Sequence, residues 1–144
     1  MVHQDTVRLL RECDAGIQMG VLAIDQVMDR AQDDALRTLL SKSKREHEHL
    51  QKSLQAALDR FSDAGKHAPL MAKAMSTVKT NMELLVSPTD AAIAELITDG
   101  CAMGIKSLSR YLNQYAAADE SAKDVCKKLI ALEEQLAKAL RGYL

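Results

Sequence analysis

Tryptophan is absent, phenylalanine occurs once and the three tyrosines bring the aromatic share to only 3% of 144 residues. Proline occurs twice. Sheets draw on aromatic and β-branched side chains and on frequent turn residues, so this scarcity excludes an all-β domain. Charge of one sign is missing as well. Nineteen Lys and Arg against 20 Asp and Glu leave a formal net charge of −1, which provides no long-range field for nucleic acid or an anionic membrane. Neither is expected as a partner. The densest basic spot, Lys42, Lys44 and Arg45, is followed at once by Glu46 and Glu48, the pattern of a solvated helix face. No apolar run reaches the ~18 residues of a membrane helix, and no charged-then-apolar start marks a signal peptide. A cytoplasmic location is expected. The cysteines (Cys13, Cys101, Cys126) are odd in number and lack C-x-x-C spacing, which argues against a disulfide framework or a zinc knuckle. Each lies on or beside an apolar seam, as buried thiols do. Cys13 and Cys101 fall near matching points of the two segments compared below and could approach each other, but separate buried reduced thiols are the expectation.

What is present is helix-forming: Ala, Leu and Met dominate an apolar fraction of 47%. The length predicts one domain over residues 1–144, burying roughly 68–70% of its unfolded surface. An all-α fold is expected. A first helix over about 5–31 carries Val7, Leu10, Ile17, Val21, Ile24, Met28 and Ala31 at three- and four-residue steps. Gln32-Asp33-Asp34 breaks and caps, and a second helix over about 34–62 buries Leu36, Leu39, Ser43, Leu50, Leu54, Ala57 and Phe61. Residues 63–87 read as a crossover, with Gly65 as a helix cap, Pro69 in a first turn, and a helix striped by Met71, Met75, Val78, Met82 and Leu85. Ser87-Pro88-Thr89-Asp90 restarts the chain, with Ser87 as cap and Pro88 at the first helical position. A helix to about Tyr115 follows. After a polar break at 118–121, a last helix has Val125, Leu129, Leu132, Leu136 and Tyr143 on its seam. The hairpins are thus 5–62 and 88–144.

Glycines in helix interiors stand out. Gly16 and Gly20 recur 84 residues later as Gly100 and Gly104, carrying Met19 onto Met103 and Ile24 onto Leu108. Beyond a longer turn the offset becomes 86, placing Leu39 on Val125, Glu46 on Leu132 and His49 on Gln135. A duplicated hairpin, and so a four-helix bundle with an approximate two-fold, is expected. Each interior glycine costs ~0.5–1 kcal/mol relative to alanine. Close contact of the first and third long helices through Gly16, Gly20, Gly100 and Gly104 would offset that cost. The alternative is a cavity for an apolar ligand or cofactor walled by Met19 and Met103.

The layout resembles the ferritin-like superfamily, and within it a branch of uncharacterised bacterial ferritin-like proteins. The resemblance rests on Met75 through Met82, Ile93-Ala94-Glu95-Leu96-Ile97, Gly100, Met103-Gly104-Ile105, Tyr111-Leu112-Asn113-Gln114-Tyr115, Leu132-Glu133-Glu134 and Tyr143-Leu144. It implies two helical hairpins joined by a long crossover and brings no activity with it. Carboxylate sites of that superfamily use Glu-x-x-His pairs and further glutamates to hold iron or manganese. Glu46 and His49 have that spacing, but their counterparts are Leu132 and Gln135, and glycine and methionine stand where bridging carboxylates belong. No nucleophile–base order, phosphate loop or H-E-x-x-H motif occurs. The expectation is therefore a non-catalytic bundle without cofactor, acting through protein contacts as a homo-oligomer. A degenerate metal or redox protein using Glu46 and His49, and a binder of small apolar ligands at the glycine-lined centre, are the alternatives.

Overall fold

The computed structural model describes residues 2–61 and 89–144, and among them the structure is all-helical. The long helices are α1 (Val2–Met28), α2 (Asp34–Arg60), α3 (Asp90–Gln114) and α4 (Glu120–Leu140), followed by a 3-10 turn over Arg141–Tyr143. No helix among the described residues is long and apolar enough to cross a membrane. The expected crossover features (Gly65, Pro69, the methionine stripe, and the Ser87 cap with Pro88) lie outside the described residues. The observed cap of α3 is Thr89, whose hydroxyl accepts from the Ala92 N–H at 3.0 Å. Asp33 and Asp119 cap α2 and α4 in the same way, through Ala35 and Ala122. Each supplies an acceptor to a first-turn N–H that has no partner within the helix.

Two apolar clusters show how the helices run. Leu9, Leu10, Cys13 and Ile17 of α1 pack with Leu54 and Leu58 of α2, Leu108 of α3, and Ala122, Cys126 and Leu129 of α4. Ile24 and Val27 pack with Leu36 and Leu40, with Ile93, Ala94 and Ile97, and with Leu136 and Leu140. The start of α1 therefore meets the ends of α2 and α3 and the start of α4, so α1 and α4 run together and opposite to α2 and α3. Both ends carry the same kind of polar latch. The Asp90 carboxylate accepts from the Gln32 and Asp33 N–H groups at 2.8 and 3.1 Å, tying α3 to the turn between α1 and α2. At the other end the Thr6 hydroxyl accepts from the Asp119 N–H at 2.9 Å and Asp5 from that of Ala117 at 3.1 Å. Thr6 and Asp90 are 84 residues apart, and Asp33 and Asp119 are 86 apart.

The buried line is stricter than the sequence suggests. On α2 it runs Leu36, Leu40, Ser43, His47, Leu50, Leu54, and on α4 Ala122, Cys126, Leu129, Glu133, Leu136, Leu140. Both alternate four- and three-residue steps, the spacing that keeps one seam facing its neighbours, and each α4 position lies 86 residues after its α2 counterpart. The expected seam residues Val7, Leu39, Val125 and Leu132 are half-buried flanks of these lines. A helix hides a face wider than one residue, so neighbours of the central line also read as apolar.

Candidate functional site

Midway along the bundle, between the two apolar clusters, the seams carry polar residues. His47 has no solvent exposure and Glu133 only 9%. They come from equivalent positions of α2 and α4 and bond to each other, His47 Nε2 to Glu133 Oε1 at 2.5 Å. The other ring nitrogen, Nδ1, lies 2.7 Å from the Ser43 carbonyl oxygen, one turn back on α2, with the Ser43 hydroxyl at 3.4 Å. A carbonyl only accepts, so Nδ1 donates, and Nε2 then needs a second proton to donate to the carboxylate. Opposite the Glu133 charge, His47 is held toward its imidazolium form. Cys101 of α3 is itself buried. Its pKa is pushed far above its ordinary value, by burial first and then by the nearby Glu133. This thiol is not a nucleophile at neutral pH.

The glycines complete the layer. A Cβ on Gly20 would meet the His47 ring at 3.5 Å and Glu133 Oε1 at 3.8 Å, and one on Gly104 would meet Glu133 Oε2 at 3.9 Å. What faces Gly20 and Gly104 is the ion pair. Two absent side chains on α1 and α3 offset the bulk of two long polar ones on α2 and α4. Gly16 faces the Leu129 side chain at 3.7 Å, and nothing lies within 4 Å at Gly100. These are ordinary contacts or open space, so the added methyl of alanine fits at either Gly20 or Gly100. Gly20→Ala and Gly100→Ala are each expected to stabilise the protein by ~0.4–1 kcal/mol, through the lost freedom of the unfolded chain. Urea titration reads this directly; destabilisation by Gly20→Ala would mean a tighter core than these distances allow.

The remaining sequence candidates do not assemble. Glu46 is half-buried at the rim of a shallow cleft of about 140 Å³, beside Leu39, Leu132 and Gln135. Its register against Leu132 and Gln135 is as expected, but His49 is exposed. The helix turns His47, lying between them in sequence, toward the centre instead. Met103 is 66% exposed and Met19 half-buried, so Met103 points away from the centre it was expected to wall. Asp14, the buried acid of α1, is held by the Gln18 and Gln51 side-chain amides at 2.9 and 3.1 Å. Among the described residues no group of three or more His, Cys, Asp or Glu is placed to hold a metal ion. A two-metal carboxylate centre does not fit these residues, since the carboxylate and imidazole that reach the middle are bonded to each other. Sequence reasoning missed His47 and Glu133. The signal was available: the offset of 86 that maps Glu46 on Leu132 also maps His47 on Glu133.

The pair makes stability depend on pH. Burial by itself pushes the His47 pKa down. The hydrogen bond to Glu133, the charge of Glu133, the Ser43 carbonyl and the charge of Glu46 together outweigh it, so the pKa stands above the ordinary 6.5. A group raised in the fold contributes fully below its unfolded pKa and loses that contribution as pH rises through the folded one. Wild-type stability is therefore expected to fall, relative to His47→Gln, as pH rises above about 6.5. Denaturant titrations of both proteins at stepped pH measure the difference. A difference independent of pH would mean that His47 is not an imidazolium in the fold.

Fold and centre together define an all-helical bundle whose middle layer is a glycine-flanked ion pair. No family model matches the chain, and no curated protein matches it. Among solved structures it is similar to a DUF305 fragment from Deinococcus radiodurans, with a TM-score of 0.75 and 12% identity over 96% of this chain and 93% of that one. At that identity the likeness concerns the fold alone.

Proposed function

We propose that the chain is a single ferritin-like domain of two duplicated hairpins, that it is not an enzyme, and that it acts through protein contacts as a homo-oligomer. The observation that carries this reading is the closed centre. At the level where a ferritin-like bundle would gather metal ligands, His47 and Glu133 are bonded to each other, and Gly20 and Gly104 face the pair. Donor atoms used on one another hold the bundle in register rather than bind a substrate or an ion; a fixed register is the best-attested use of such buried polar groups. The shared buried lines at offsets of 84 and 86, and the matched latches at Thr6 and Asp90, support the duplication. Met103, exposed on α3, is an adaptable apolar side chain of the kind used in protein contacts.

The test is aerobic titration with ferrous iron followed by absorbance, together with metal analysis of protein grown with added iron or manganese. No saturable oxidation and no stoichiometric metal are expected. Saturable oxidation abolished by Glu46→Ala or His49→Ala would overturn the reading in favour of a degenerate metal protein. Sedimentation equilibrium over a range of concentrations tests the oligomer, and a monomer mass throughout would remove that part of the proposal.

A further inference from the structure

We propose that the Met103 side chain of one copy seats in the cleft between α2 and α4 of the next, joining copies of this chain side by side. The inference rests on the homo-oligomer reading above and names its interface. The cleft, of about 140 Å³, has an apolar wall of Leu39, Leu132, Leu136 and Ala139, with Lys42 and Glu46 at its rim. A cavity of about 150 Å³ holds a benzene ring, so this space takes the smaller side chain of a methionine. Met103, at 66%, is the most exposed large apolar side chain among the described residues. It stands two residues, and so roughly 200°, from the buried Cys101 on the same helix, and it points out of the bundle.

The charges around this knob and hole match in one orientation only. Asp99 and Lys106 are exposed one turn before and one turn after Met103, on the same face of α3. Lys42 and Glu46 stand one turn apart on α2, with the cation first. With α3 of one copy parallel to α2 of the next, Asp99 meets Lys42 and Lys106 meets Glu46. Antiparallel docking sets like charges together, which is costly. None of the four is in a salt bridge among the described residues. Within one copy α2 and α3 also run the same way, so parallel docking gives all copies the same polarity. Knob and hole share one height, because Gly104, next to Met103, faces Glu133, which lies between Leu132 and Leu136 of the cleft. They lie on different sides of the bundle, since α2 and α3 stand at opposite corners with α1 and α4 between them. Two copies therefore make one contact, and the pair keeps one free knob and one free hole for further neighbours. Such a heterologous contact builds rings or open chains rather than a two-fold dimer.

The test is sedimentation equilibrium of the full chain and its variants over a range of concentrations. The wild-type mass should rise past that of a dimer. Met103→Asp removes the knob and Ala139→Trp fills the hole, both at exposed positions; circular dichroism and urea midpoints check that each variant folds. Either change alone should weaken association by about 30-fold, the loss at a binding hot spot. Mixed in equal amounts, the two variants should form a dimer that grows no further, since one intact knob meets one intact hole. Lys42→Glu should also dissociate the assembly, and adding Asp99→Lys to the same chain should restore it. This charge exchange decides the matter if the tryptophan variant fails to fold. A wild-type assembly that stops at a dimer, a Met103→Asp variant with wild-type association, or a mixture no larger than its components would each overturn this interface and leave the oligomer reading standing. A wild-type monomer throughout would remove both.

Discussion

Glu133→Ala is expected to cost ~3–5 kcal/mol, the range for removing one partner of a buried ion pair. Without the carboxylate, the His47 imidazolium keeps the Ser43 carbonyl but faces a void on its Nε2 side, beside the glycine at position 20. It must then lose its proton or admit water, and the loss is a large part of a typical total of about 5–15 kcal/mol. His47→Ala is expected to fall in the same range, because it strands the buried Glu133 carboxylate without its partner. The double variant His47→Leu/Glu133→Leu separates pairing from packing. Apolar residues of similar volume in place of a buried pair are often neutral or stabilising by ~1–4 kcal/mol, so the double variant should recover most or all of what either single truncation loses. Equilibrium urea unfolding of the set provides the coupling energy. Single truncations within about 0.5 kcal/mol of wild type, the range of surface changes, would show that the pair does not form in solution.

Gly20→Leu should be the next most damaging change, at ~1–3 kcal/mol or more for bulk forced into a filled core. Its Cβ already sits 3.5 Å from the imidazole ring, so the branches beyond it must displace His47, Glu133 or the α1 backbone. If His47 is the group displaced, the cost approaches that of Glu133→Ala, and the stability of Gly20→Leu should no longer follow the titration of His47. Gly100→Leu is the control. With nothing within 4 Å of its Cβ, it should not destabilise, and should gain about as much as Gly100→Ala because leucine is nearly as good a helix former. Equal urea midpoints for the two leucine variants would mean that position 20 does not face the pair.

Much of this architecture is legible in the chain itself. The helix-forming composition, the polar breaks at 32–34 and 118–121, and the apolar periodicity place four long helices close to where they stand, although the cap of α3 is Thr89 and not the expected Ser87. The glycine spacing identifies the level of the centre: Glu46 reads as level with Gly20, and His47, one residue on, is the side chain against it. Even the chemistry of the middle layer is latent in the offset of 86. The latch formed by Asp90 is less visible, because in sequence this residue reads as part of the helix start at 87–90, while its carboxylate serves the backbone of the distant turn at Gln32 and Asp33.

Sequence by itself determined where helices form and which face of each is apolar, because these follow from local propensity, capping and the 3.6-residue period. It left open which residue of a wide face stands at its middle. Consecutive helical positions differ by about 100°, close to the width of the buried stripe, so Glu46 and His47 are both admissible until a neighbouring helix occupies the space. Only packing against α4 turns His47 onto Glu133 and leaves Glu46 at a cleft rim. The same holds for the cysteines. Cys13 and Cys101 fall near matching repeat positions, yet packing places Cys13 in one apolar cluster with Cys126 and Cys101 in the other. A glycine records that something needs room; what takes the room is decided by the neighbouring helices.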